Sequence, residues 1–296
     1  MGALGISGAL IIVGLGLGGC GAPADDDEVA ASSGGLTDSE TCVAGLFCID
    51  LKASGHEADL AMRNFAHSGV SLKLDFTFDN MTATIPMPYQ GSFFGERSET
   101  LFSFGQDNAD QGYSYSYTYE WRVGVMDVTH DDANVYQMPF APGSSFSLTQ
   151  GYNGSFSHQG ELAFSLDFAM DEGTPVHAAR DGIVMRTIDE FTEAGTTEDF
   201  KDKANLVSVL HSDGSIAEYV HLQEGGVAVS LGDLVKAGDL LGYSGNTGYS
   251  QGPHLHFHVL KKPDFASFET LSLKFKTGTD TVEVLQEGNT YTSQAL

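Results

Sequence analysis

Residues 72–79 alternate strictly: Leu72, Leu74, Phe76 and Phe78 are apolar, while Lys73, Asp75, Thr77 and Asp79 between them are polar. A period of two sends one set of side chains to each face of a β-strand. The same period runs through Tyr113, Tyr115, Tyr117, Tyr119, Trp121, Val123 and Val125, whose partners are mostly polar. From about 46 to 138 the pattern therefore predicts half-buried antiparallel strands folded as a small β-sandwich. A row of aromatic residues serves either as a core layer or as a sugar-stacking platform, and core packing is the commoner use. No catalytic constellation falls in this segment.

"MPFAPGSSF" at 138–146 carries two prolines and a glycine and marks the expected domain boundary. Beyond it the chain stays strand-rich. "NLVSVLHSDGSIAEYVHL" reads as two strands joined by a turn at Asp213-Gly214. "GTPVHAARDG" and "GDLVKAGDLLG" echo each other, with Gly173, Val176, Ala178 and Gly182 against Gly232, Val235, Ala237 and Gly242. Two similar hairpin units suggest a duplicated, barrel-like all-β domain. Residues 192–204 are mostly polar and read as a surface loop, and 261–296 are strand-like again. The expected order is a leader at 1–20, a tether at 21–45, a β-sandwich-like domain at 46–140, a second β domain at 141–262 and a β extension at 263–296.

Within "GPHLHFHVL", Leu255, Phe257 and Val259 occupy one face, and His254, His256 and His258 the other. Seven of the ten histidines (158, 177, 211, 221, 254, 256 and 258) lie in the second half of the chain, and such clustering asks for a metal. Two same-face imidazoles at i and i+2 can share one zinc ion. All three cannot, because i and i+4 stand roughly 13 Å apart on a regular strand. His177 and His211, single histidines without partners in the pattern, receive no role. "GYSGNTG" is a glycine-rich turn rather than a serine-nucleophile elbow, since Asn246 stands where the last glycine of G-x-S-x-G belongs.

Charge narrows the function. Fourteen Lys plus Arg against 40 Asp plus Glu give a net charge of −26, which repels nucleic acid and anionic lipid and excludes polyanion binding as the main activity. The first nineteen residues have no charged side chain and lead to Cys20, as an export signal would. "LGGC" resembles the lipobox of bacterial lipoproteins, which implies lipidation at Cys20, although no Lys or Arg precedes the apolar run. Cys42 and Cys48 then remain as an even pair, expected to form a small local disulfide in an oxidising compartment. Residues 21–41 are small, acidic and poor in large apolar groups, a composition suited to a flexible tether.

Taken together, "SHQGELAFSLDFAMDEGTPVHAARDGIV", "AEYVHL", "GDLVKAGDLLGYSGNTG" and "GPHLHFHV" make residues 146–260 resemble the lysostaphin-type, or LytM-like, zinc metallopeptidases. Members of that family cut the peptide part of bacterial cell walls. The resemblance implies an all-β fold, with an N-terminal β-sandwich-like domain followed by a duplicated-hybrid-motif (barrel-sandwich hybrid) peptidase domain. It implies one zinc ion held by His158, Asp167 and His256, with His254 and His221 catalytic. The commonest family spacing is His-x3-Asp, whereas eight residues separate His158 from Asp167 here, so a bulge or short hairpin at "QGELA" must absorb the excess; Glu161 is the substitute ligand. His258 is expected outside the metal's ligand set, hydrogen-bonded to a ligand or simply solvated.

On this reading the protein is a zinc endopeptidase of peptidoglycan stems or cross-links, exported and lipid-anchored in a bacterial envelope, outer membrane or periplasm. Zinc would activate a water, His254 would take its proton and His221 would stabilise the oxyanion. A non-catalytic cell-wall-binding or amidase-activating lipoprotein on the same fold is the alternative, and loss of ligands would be its usual mark. A zinc-storing or adhesive lipoprotein would leave His221 and His254 unexplained.

Overall fold

The structure, a computed structural model, describes residues 28–32, 36–43, 45–66, 69–126, 128–262, 264–265 and 267–294. The expected leader and Cys20 lie outside the described residues. Among those described there is no α-helix, only strands and two 3-10 turns, as the period-two patterning predicts. They divide into two compact units, one ending at Val125 and the other beginning at Met126.

Nine strands build the first unit: β1 (Glu28–Ser32), β2 (Ser39–Val43), β3 (Phe47–Ser54), β4 (Glu57–Asn64), β5 (Val70–Asp79), β6 (Met81–Ala83), β7 (Tyr89–Phe93), β8 (Arg97–Gln106) and β9 (Ser114–Val123). They make two antiparallel sheets, β1-β9-β5-β7 and β2-β3-β4-β8-β6. Inward-facing residues of both sheets share one core. Phe76 of β5 meets Phe102 of β8 edge-on at 5.5 Å, and Phe47 of β3 meets Trp121 of β9 at 5.8 Å. The aromatic row of β9 is thus a core layer; Tyr117 stacks on Phe76 at 4.7 Å. Cys42 and Cys48 stand opposite each other on β2 and β3 and are joined by a disulfide. Parts of the expected tether are ordered, with β1 paired to β9 and β2 to β3. Main-chain hydrogen bonds hold such strands, so a segment poor in large apolar side chains can still pair.

The second unit contains β10 (Val135–Tyr136), β11 (Ser145–Gln150), β12 (Leu166–Ala169), β13 (Pro175–His177), β14 (Gly182–Ile188), β15 (Ala194–Gly195), β16 (Asn205–Leu210) and β17 (Ile216–Val227). It continues through β18 (Leu234–Val235), β19 (Leu240–Ser244), β20 (Gly248–Tyr249), β21 (His254–Lys261), β22 (Glu269–Thr270), β23 (Lys274–Lys276), β24 (Val282–Glu283) and β25 (Thr290–Thr292). Eleven of these strands form one sheet whose main path is β18-β14-β16-β17-β21-β12-β11-β25. The internal echo takes a definite form: β13 and β14 belong to one copy, β18 and β19 to the other, and each copy's first strand pairs with the other's second. Val176 stands opposite Gly242, and Gly182 opposite Val235.

Two expected boundaries shift. Residues 128–140 pack inside the second unit, where β10 runs parallel to β23 and Tyr136, Met138 and Phe140 are buried in its core. These large apolar side chains need a covered face, and the prolines at 139 and 142 turn the chain within the unit rather than between units. The segment after 262 completes the same sheet: β22 pairs with β21, β25 with β11, and Leu273, Phe275, Leu285 and Tyr291 join the core.

Candidate metal centre and active site

Register brings the site together. On β21 the apolar set Leu255, Phe257 and Val259 is fully buried in the core, so the histidine set must face the other way. Asp167 of β12 pairs directly with His256, Ala169 with His254, and Val220 of β17 with His256 from the other side. His221, the next residue along β17, has φ of 66°, a left-handed conformation that a non-glycine residue adopts only when its surroundings enforce it.

His158 arrives from a loop. The long interval to Asp167 is closed by the Asn153 N–H donating to the Ala163 carbonyl at 2.7 Å and by a 3-10 turn at Gly160–Leu162. Glu161, the substitute ligand, is exposed on that turn, whereas His158 is wholly buried. Its Nδ1 donates to the Gly151 carbonyl at 2.9 Å, which turns Nε2 toward Asp167 and His256.

Three donor atoms converge. His158 Nε2 lies 3.1 Å from Asp167 Oδ1 and 3.3 Å from His256 Nδ1, and His256 Nδ1 lies 2.8 Å from Asp167 Oδ1. Among the described residues outside the disulfide, these are the one group of His, Cys, Asp or Glu close enough to hold an ion. Two imidazoles and a carboxylate suit zinc, and tetrahedral bonds of about 2.0–2.1 Å imply ligand separations of about 3.3 Å.

Around this triangle each group is oriented. Asp167 Oδ2 accepts from Gln150 Nε2 at 2.9 Å; the same amide reaches Ser157 Oγ at 2.8 Å. Gly154 is close beneath Gln150, where any Cβ would collide with the amide side chain. Burial would raise the Asp167 carboxyl, but the hydrogen bonds of His158 and His256 hold it well below the ordinary carboxylate range. Burial lowers His256 to about 4 and, with His254 and His256 nearby, lowers His221 to about 3. Both rings are therefore neutral at pH 7.

His254 and His221 flank the group. Their ring centroids are 4.7 Å apart, and His254 Nε2 lies 3.8 Å from Asp167 Oδ1. His254 Nδ1 donates to the Gly252 carbonyl at 2.8 Å, and His221 Nδ1 to the Thr247 carbonyl at 2.6 Å. A carbonyl only accepts, so each ring holds a proton on Nδ1 and turns Nε2 toward the cleft. Both line an open cleft of about 500 Å³ with Asp167, His256, Gln150 and Tyr249. Phe156 on its wall is half exposed and stacks on Tyr249 at 5.8 Å. The loop at 192–204 braces that wall, since β15 pairs with β20, the strand that carries Tyr249.

Residues 162–266 match the family described as Peptidase family M23. This segment is similar to the M23 peptidases. The M23 match contains Asp167, His221, His254 and His256 and begins four residues after His158. Over 103 residues the chain is 40% identical to an uncharacterized metalloprotease of Buchnera aphidicola, and over 99 residues 39% identical to lysostaphin of Staphylococcus simulans. A third relative, peptidoglycan DD-endopeptidase ShyA of Vibrio cholerae, is 35% identical over 94 residues. These stretches cover 34%, 33% and 32% of this chain and 23%, 18% and 19% of the relatives, so the chain spans about a fifth of their length.

Other residues stand apart from the three converging donors or were not legible beforehand. His177 Nδ1 donates to the Gly238 carbonyl and His211 Nδ1 to the Asp181 carbonyl, both away from the cleft. Ser244 is buried and its hydroxyl donates to the Asp171 carbonyl, which suits a turn and not a nucleophile. His258 lies beyond His256, with Nδ1 3.1 Å from His256 Nε2. Gln150, Glu218 and the Gly151, Thr247 and Gly252 carbonyls had no sequence signal, because backbone acceptors and lone amides have no motif.

Proposed function

We propose that the chain is a zinc-dependent endopeptidase that hydrolyses peptide bonds in bacterial peptidoglycan. The observation that carries this reading is the convergence of His158 Nε2, Asp167 Oδ1 and His256 Nδ1 at an open cleft, with His254 and His221 beside them. His158, Asp167 and His256 are the metal ligands. When bound, zinc supplies Lewis acidity, polarising the scissile carbonyl and lowering the pKa of water toward about 7. His254, whose Nε2 lone pair faces the cleft side of Asp167, takes the proton of the attacking water and returns it to the leaving amine. His221 carries its proton on Nδ1, toward Thr247, so it can donate from Nε2 to an oxyanion only after it has itself been protonated. It is accordingly a proton acceptor in the resting site, a narrower role than the oxyanion donor suggested by the sequence. Phe156 and Tyr249 form the apolar wall against which a peptide stem lies.

The N-terminal unit serves as an accessory β-sandwich, and the first twenty residues direct export, with Cys20 as the lipidated end of the mature chain. Purified protein incubated with defined peptidoglycan should release peptide fragments visible by mass spectrometry. Activity should disappear with a chelator and return with one equivalent of zinc. Intact substrate in the presence of stoichiometric zinc would leave a non-catalytic wall-binding protein in place of the enzyme.

A further inference from the structure

A second polar row runs across the sheet beside the metal-ligand group. Register sets Arg186 of β14 opposite Ser208 of β16, Ser208 opposite Glu218 of β17, and Glu218 opposite His258 of β21. Ser208 Oγ donates to Glu218 Oε1 at 3.0 Å. Glu218 Oε2 lies 3.3 Å from His258 Nε2, an electrostatic contact rather than an aligned hydrogen bond, and His258 Nδ1 lies 3.1 Å from His256 Nε2. A small cavity of about 80 Å³, walled by Leu162, Leu206 and Val220, borders Glu218, His256 and His258. Lys201, Ser157 and Tyr249 also line it, and the row is withdrawn from bulk water, a setting in which polar contacts are strong and unpaired ones costly.

Proton positions follow from the carboxylate outward. An ionised carboxylate only accepts, so the His258 proton belongs on Nε2 and its Nδ1 is an acceptor. With an ion on its Nδ1, His256 carries its proton on Nε2 and meets that acceptor, whereas without the ion Asp167 Oδ1, 2.8 Å from Nδ1, draws the same proton the other way. We propose that Glu218, acting through His258, is a positioning residue for the metal centre, holding His256 in the tautomer and ring orientation that present Nδ1 to the ion. The relay rests on the zinc reading above, yet its members neither touch the ion nor line the open cleft. Their influence is on affinity and on the His256 proton, as is usual for groups hydrogen-bonded behind a metal ligand.

Zinc affinity of the full chain, measured by competition with a chelator, provides the test, alongside imidazole nitrogen NMR of the metal-free protein and thermal unfolding. Glu218→Ala and His258→Ala should each weaken zinc binding by about 10- to 100-fold. The double variant should be no weaker than His258→Ala alone, because Glu218 acts through that ring. In His258→Ala, the metal-free His256 should shift toward the Nδ1–H tautomer that donates to Asp167. Glu218→Gln, which preserves shape and an acceptor oxygen, keeps the measurement open if the alanine variant unfolds, and a smaller loss of affinity is expected from it. Unchanged zinc affinity in folded Glu218→Gln and Glu218→Ala overturns the relay alone, as do additive losses in the double variant. A wild-type chain that binds no zinc overturns the relay together with the functional reading beneath it.

Discussion

In β9, Tyr115, Tyr117, Tyr119 and Trp121 are buried while Ser116, Thr118 and Glu120 between them keep contact with solvent; in β21, Leu255, Phe257 and Val259 are buried and so are the interleaved His256 and His258. Both strands share one period. In the first unit the polar set has water to satisfy it, so its identity is loosely constrained. In the second unit the polar set is withdrawn from water and must be satisfied by Asp167, Glu218 and backbone carbonyls, or by an ion. In β21 the second buried face is the one that carries the site, whereas β9 buries only the face that makes the core.

The sharpest break of this comparison is at the converging donors. His256→Ala or Asp167→Ala should strip bound zinc, measured by elemental analysis, and reduce peptidoglycan hydrolysis to background; full occupancy in either variant would refute the ligand assignment. His254→Ala should keep its zinc and lose about 10²- to 10⁴-fold in turnover, the range for a general acid–base group. Retained turnover would move the base to His221.

On the apolar side, Trp121→Ala in β9 should destabilise the first unit by about 3–5 kcal/mol in denaturant unfolding. Zinc content should stay at one ion per chain, and a loss of zinc there would contradict the division of labour between the two strands.

A buried polar pair away from the site gives a middle-sized effect. Arg180 Nη1 holds Asp213 Oδ2 at 2.9 Å; against the opposing cost of burial, the hydrogen bonds of Ser215 and Arg180 lower Asp213 to about 2. A depressed folded pKa means stability that is complete above the unfolded value near 3.8 and is lost as pH falls toward 2. Because solvent reaches this pair and screens it, Asp213→Asn should cost about 1 kcal/mol at pH 7, with the gap to wild type closing as pH falls between about 4 and 2. A gap independent of pH would mean that the carboxylate charge contributes nothing. The smallest effect belongs to the solvent-facing set: Lys73→Met, which breaks the Lys73–Glu120 pair on the open face of β5 and β9, should change stability by less than about 1 kcal/mol. A larger loss would show that this face is not merely solvated.

How far the chain could be read follows the same division. Strands of the first unit were legible because alternation is a property of neighbouring residues and needs no partner to be seen. The H-x-H strand, Asp167 and "AEYVHL" were legible as a set because their residue types are rare together and their chemistry is specific. Less could be read where the chain takes a detour. The eight residues between His158 and Asp167 conceal a loop closed by an Asn153-to-Ala163 backbone bond, and "MPFAPGSSF" looks like a boundary although Tyr136, Met138 and Phe140 are core residues of the second unit.

Residue types and their period are sufficient to declare an all-β chain, an aromatic core, and a strand with three histidines on one face. Strand order and register are not contained in that period. They alone set Asp167 and Glu218 on either flank of β21, gave His254 and His221 their carbonyl partners, and turned the repeated hairpins into mutually paired halves. The physical reason is range: alternation is enforced by each residue's own backbone geometry, whereas the meeting of donor atoms from β12, β21 and the His158 loop depends on which hydrogen-bonded ladders close across the whole domain.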